Sequence, residues 1–305
     1  MTAGSGPSSA ITTTLLTARL AAILDPLDPL GGRSALAAHH IPAPARTARA
    51  GRTPSGAARG GKRAETPPAA SEERVAIRAD EVFPAASLAK LCIAVELCRR
   101  ADLGQFDLDE RFDTSDEPRA GGGGVLDYLD PTVRLTLGDL LFLMLGVSDN
   151  TAANFLLDLV GMGEVNETMS RLALAHTRLA RRFMDFAARA AHRDNLTSAG
   201  DMAALLALVR GSALPGAARL REMLAAQRLG EDIAEWLPPE AQLAHKTGTL
   251  EDVFHDAGIL TGPGGACVYC ILTAEQPHLL SARATVGRAV RALWDAWCAP
   301  AEAGA

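Results

Sequence analysis

Of the thirty basic residues in this 305-residue chain, only Lys62, Lys90 and Lys246 are lysines. An arginine keeps its proton inside a protein, whereas a desolvated lysine can release it near neutral pH. Lys90 lies three residues after Ser87 at the predicted start of a helix, which puts both side chains on one face. A serine hydroxyl becomes a useful nucleophile when a neighbour takes its proton, and a neutral Lys90 could do so. First-turn N–H groups would steady negative charge developing on a substrate. Taken alone, the pair describes an ordinary helix start with serine as N-cap equally well.

Two further short segments carry polar groups suited to the same chemistry. Ser148-Asp149-Asn150 follows an apolar run, Leu143-Met144-Leu145-Gly146-Val147. Its serine could relay a proton and its amide could hold a substrate amide, while Ser148 or Asp149 could equally cap the next helix. Lys246-Thr247-Gly248-Thr249 falls in a predicted strand. There the lysine would add positive charge along a site, and Gly248 would let a substrate backbone approach.

Apolar periodicity places the elements that must hold these groups. Residues 12–24 read as an amphipathic helix and 32–41 as a short strand. Residues 42–70 are rich in Pro, Ala, Gly and Arg without periodicity and read as a mobile basic insertion, a solvated loop between two strands. Residues 73–79 alternate as a strand. Helical periods cover 85–97, 137–147, 150–160, 164–172 and 198–209, with the glycine run 121–124 as a loop among them. Another helix follows Gly216, then strands at 243–249, 257–261 and 267–273, then a helix over 286–297. Strands at both ends around a helical middle predict an α/β layer built from both termini, with an all-α domain inserted. The expected divisions are 1–86, 87–210 and 211–305.

Each of the three motifs occurs once, in the order S-x-x-K, S-D-N, K-T-G. In that order the chain resembles the class A β-lactamase-like serine hydrolases of the penicillin-recognising superfamily. Phe83-Pro84-Ala85-Ala86-Ser87, Leu135-Thr136-Leu137-Gly138-Asp139 and Arg193-Asp194-Asn195-Leu196-Thr197 agree with it. The resemblance implies a five-stranded antiparallel sheet flanked by helices. It implies that Ser87 is acylated, that Lys90 deprotonates it, and that Ser148 passes the proton to the leaving nitrogen, helped by Lys246. Asn150 would bind the substrate's side-chain amide. The N–H groups of Ser87 and Thr249 would form an oxyanion hole, and the hydroxyls of Thr247 and Thr249 would meet a substrate carboxylate.

The chain departs from that pattern at the step that frees the acyl group. Class A enzymes use a glutamate after a Thr-Arg-Leu-like stretch. Here Thr177-Arg178-Leu179-Ala180-Arg181-Arg182 leads to Phe183, which cannot accept a proton. Release must then fall to Asp185, Lys90 or another group such as His255. After the K-T-G strand, Phe254 stands where many class A enzymes carry an arginine.

A net charge of −6 and 4% aromatic residues argue against nucleic-acid binding. Five cysteines at irregular spacing do not describe a disulfide framework, and Cys267 and Cys270 would point to opposite faces of a strand. Of seven histidines the only close pair, His39-His40, lacks acidic neighbours, so neither metal nor other cofactor is expected. With no apolar run of about 18 residues and no secretory signal, the expectation is a cytoplasmic, non-membrane protein. A monomer acting on a small amide, ester or β-lactam is expected. The readings left open are a lactam hydrolase, an esterase, amidase or acyl-transfer enzyme, and a penicillin-binding protein that is acylated without efficient turnover.

Overall fold

Leu16, Leu20 and Leu24 recur at helical spacing and form one buried stripe of the first helix, α1 (Ser8–Leu24). In the computed structural model, residues 8–42, 73–212, 214–229 and 231–300 are described. The basic insertion expected at 42–70 lies, apart from Pro42, outside them. After α1 come β1 (Arg33–Pro42), β2 (Arg74–Ile77), β3 (Val82–Pro84) and α2 (Ala89–Asp102). Next are β4 (Arg111–Asp113), β5 (Arg134–Thr136), α3 (Leu137–Gly146), α4 (Asn150–Val160), α5 (Met162–Arg171) and α6 (Phe186–Ala190). The chain continues through β6 (Leu196–Ser198), α7 (Ala199–Arg210), α8 (Ala217–Ala225) and α9 (Glu231–Ala234). It closes with β7 (Gln242–Leu250), β8 (Val253–Gly262), β9 (Gly265–Ala274) and α10 (Leu279–Leu293).

Five strands form one antiparallel sheet in the order β2-β1-β9-β8-β7, so both ends of the chain build it. β9 sits in the middle and is buried throughout, as its unbroken apolar run requires. Cys267 packs in the outer core with α1 and α10, while Cys270 packs in the inner core. The inner face carries α7, which lies across β1, β8 and β9. Beyond it α2 is buried over ten consecutive residues, Ala89 to Cys98, including Lys90 and Glu96. Glu96 is satisfied there by Arg99 at 2.8 Å, Arg100 at 2.6 Å and Thr168 at 2.7 Å. No helix among the described residues is long and apolar enough to cross a membrane.

The last strand of the sheet, β7, is an edge: β8 pairs on one side and, among the described residues, no strand pairs on the other. Its free edge lies against the 3₁₀ turn Ala86–Leu88 that leads into α2. The expected strand at 257–261 is longer than its alternation suggested and begins at Val253. Phe254, His255 and Asp256 are therefore strand residues opposite Thr249, Gly248 and Thr247.

Candidate active site

Ser87 is the partly accessible residue in a segment otherwise buried from Ala85 to Cys98. Its predecessor Ala86 has φ +46° and Ser148 has φ +56°, a left-handed conformation that costs an L-residue about 1 kcal/mol or more. Both turns are thus held by their surroundings. At the second, Asp149 accepts from Ala152 N at 2.9 Å and caps α4, and its other oxygen accepts from Val125 N and Leu126 N at 2.7 and 2.8 Å. The capping role belongs to Asp149, which leaves the Ser148 hydroxyl free for other partners.

Those partners are two amines. Lys90 Nζ and Lys246 Nζ each lie 3.0 Å from Ser148 Oγ. Lys90 also reaches Ser148 O at 2.6 Å, Asn150 Oδ1 at 2.7 Å and Ser87 Oγ at 3.2 Å. A carbonyl and an amide oxygen can only accept, so two N–H bonds of Lys90 are committed. What remains of its nitrogen faces the two serine hydroxyls. In the neutral amine that direction holds a lone pair, the arrangement a general base needs. Burial and the neighbouring Lys246 charge push the Lys90 pKa well below its usual range. Burial also brings Lys246 down to about 7, against the pull of the Asp256 carboxylate.

A cleft opens over Ser87. Ser148, Asn150, Thr247 and Thr249 line one side; Phe183, Met184 and Phe186 line another. Thr249 follows Gly248 on the free edge of β7, and Ser87 N–H opens a helical turn, where such groups have no partner in the helix. The expected site residues Ser87, Lys90, Ser148, Lys246, Asn150, Thr247 and Thr249 are brought together. Gly248 is also here and is closely packed: a Cβ would stand 3.3 Å from both Ala86 Cβ and His255 Cβ. Asn150 is already engaged at both ends, its Nδ2 donating to Gly121 O at 2.9 Å.

Of the expected release groups, Lys90 reaches Ser87, while Asp185 and His255 do not line the cleft. Asp185 is exposed and caps α6, accepting from Ala188 N at 2.9 Å. His255 is fully buried under β7, with Nε2 2.7 Å from Pro84 O and Nδ1 accepting from Thr273 N at 3.1 Å. Burial lowers its pKa to about 4, so it is a neutral structural histidine. Phe183, by contrast, is inside the site: its ring centroid lies 4.9 Å from Lys90 Nζ. Asn154 clamps its backbone in both directions, at 2.8 Å to N and 3.1 Å to O. Among the described residues, no carboxylate and no imidazole lines the cleft.

The glycine run, read from sequence only as a loop, forms the cleft's remaining wall through Gly122 and Gly123. All four glycines have positive φ. At Gly122 a Cβ would stand 2.3 Å from Met184 Cε, and at Gly124 2.6 Å from Asp149 Cγ. Consecutive glycines were the available signal: a loop that must lie flat on two other segments cannot carry side chains.

Residues 68–297 match the model of the beta-lactamase enzyme family. A beta-lactamase regulatory protein, BlaB, of Streptomyces cacaoi is 26% identical over 254 residues, spanning 67% of this chain and 81% of that protein. The beta-lactamase of Sphaerobacter thermophilus has the same fold, with a TM-score of 0.75 at 25% identity over 91% of this chain and 96% of its own. PBP-A superposes with a TM-score of 0.74 at 23% identity, over 93% of this chain and 96% of its own. A point mutant of PBP-A, solved as the acyl-enzyme complex with penicillin G, superposes equally well.

Proposed function

Since this chain belongs to the beta-lactamase enzyme family, we propose that it forms an acyl-enzyme on Ser87 with a β-lactam or similar amide and releases it slowly. The observation that carries this is the Lys90 amine, 3.2 Å from Ser87 Oγ with its other donors committed to Ser148 O and Asn150 Oδ1. Lys90 takes the Ser87 proton as Oγ attacks the carbonyl carbon. The N–H groups of Ser87 and Thr249 hold the oxyanion. Ser148, between the two amines, passes a proton to the leaving nitrogen, and the C–N bond breaks. Hydroxyls of Thr247 and Thr249 meet the substrate carboxylate.

Slow release follows from Phe183. Hydrolysis of the ester requires a water and a base beside Ser87, and an apolar ring lies against the amine there. The same observation favours a second reading, that the acylated protein is itself the functional state, as in a sensor or sink. A relative named as a regulatory protein supports it. Incubation with a chromogenic β-lactam and a panel of simple esters, followed by absorbance and intact mass, separates the cases. We expect an adduct on Ser87 with little product; ester cleavage without any lactam adduct would move the assignment to an esterase or amidase.

A further inference from the structure

Beneath the K-T-G strand, on the sheet face turned away from Ser87, three polar side chains meet in an apolar layer. His245 Nδ1 lies 2.8 Å from Asp256 Oδ2, and Tyr269 OH donates to Asp256 Oδ1. Asp256 and Tyr269 are fully buried and His245 nearly so. The three sit on adjacent strands β7, β8 and β9, and Gly258 is the register partner of both His245 and Tyr269. A Cβ on Gly258 would stand 2.7 Å from His245 Cβ and 3.1 Å from Tyr269 OH. The missing side chain is what lets the imidazole and the phenol close over the strand and reach one carboxylate.

A buried carboxylate costs several kcal/mol to desolvate, and well-packed apolar residues of the same volume would hold the sheet as well. Its presence therefore needs another reason, and its position supplies one. His245 precedes Lys246, and among the described residues β7 is an edge strand held by a single partner. A slip of one residue would turn Lys246 to the wrong face. Among the described residues, no carboxylate lines the cleft beside Lys246. We propose that Asp256, with His245 and Tyr269, is a positioning network for Lys246: it fixes the strand register and supplies the lysine's counter-charge from the far face of the sheet.

This inference builds on the function proposed above, but its test does not require that reaction. Among the described residues, the charged and titratable groups of the cleft and of the strands behind it are Lys90 on α2, Asp149 at the start of α4, Arg181 in the cleft wall, Arg228 in the neighbouring pocket with Thr247, and His245, His255 and Asp256 on the sheet. Among the described residues, Asp256, whose register partner Thr247 adjoins Lys246, is the carboxylate whose charge favours the lysine's proton against burial.

With three lysines in the chain, lysine-selective ¹³Cε NMR gives a countable spectrum, and Lys246→Arg assigns the resonance. In Asp256→Asn the Lys246 midpoint should fall by about one pH unit, the worth of one lost counter-charge. An unchanged midpoint in folded Asp256→Asn overturns the counter-charge. Tyr269→Phe keeps the carboxylate, so its midpoint should stay while amide exchange at residues 246–249 accelerates about tenfold. Exchange there no faster than in the parent overturns the positioning role, and this arm stands even if Asp256→Asn does not fold. Failure of Ser87 to acylate in the parent would count against the proposed function, leaving both NMR results intact.

Discussion

Lys90 Nζ sits 4.9 Å from the centre of the Phe183 ring, and in the proposed reaction that contact separates acylation from release. In the proposed reaction the amine deprotonates Ser87, while Phe183 stands at the sequence position where the resemblance puts the water-activating glutamate. Phe183→Glu should therefore speed loss of the Ser87 adduct by about 10²-fold or more, the ordinary contribution of a positioned general base. Adduct lifetimes by intact mass check this; equal lifetimes would show that the ring is not what slows release.

The two lysines predict the pH profile of acylation. Lys90 must begin neutral to accept the serine proton, and Lys246 must begin protonated to support Ser148. Acylation should fall as pH rises through about 7, where Lys246 deprotonates. Lys246→Arg cannot lose its proton, so it should be slower yet lack that alkaline limb. Stopped-flow acylation rates from about pH 5 to 9, spanning that midpoint, test the pair. A limb that survives in Lys246→Arg belongs to another group.

Lys246 also makes stability depend on pH. Its folded pKa, about 7, lies below the unfolded value of 10.5, so between these the unfolded chain binds more protons. The Lys246 contribution to stability should rise from pH 7 toward 10.5, and Lys246→Met should remove it, read as the difference between the two curves. His255 does the same at lower pH, stability falling as pH drops from 6.5 through about 4. Urea midpoints across pH read both windows.

Much of this was legible because motif chemistry is local. Ser87 and Lys90, three apart, needed only a helix start to meet, and Asp149 could be seen as a cap. The sheet's strands and the buried α2 followed from apolar runs. The sequence was silent where contacts join distant segments. Gly122 on Met184, Gly248 on Ala86, and His245 with Asp256 and Tyr269 depend on which strands and loops become neighbours. His255 looked like a catalytic candidate because its type is reactive; burial and two hydrogen bonds made it structural.

Gly124 tests the glycine wall. Its φ is +126°, and an added Cβ would press on Asp149, whose carboxylate holds Val125 N and Leu126 N. Gly124→Ala should lose about 1–3 kcal/mol of stability and slow acylation, since the turn bearing Ser148 is disturbed. A variant as stable and as fast as the parent would mean that the loop packs loosely there.

The function proposed for this site is acylation of Ser87 with slow release. A short pulse of a β-lactam, followed by intact mass over time and peptide mapping, reads it in the parent and in Ser87→Ala. One adduct is expected, on Ser87, absent from Ser87→Ala and persisting far longer than it took to form. An adduct that also appears in Ser87→Ala, or none in a folded parent that leaves the lactam intact, would overturn the assignment.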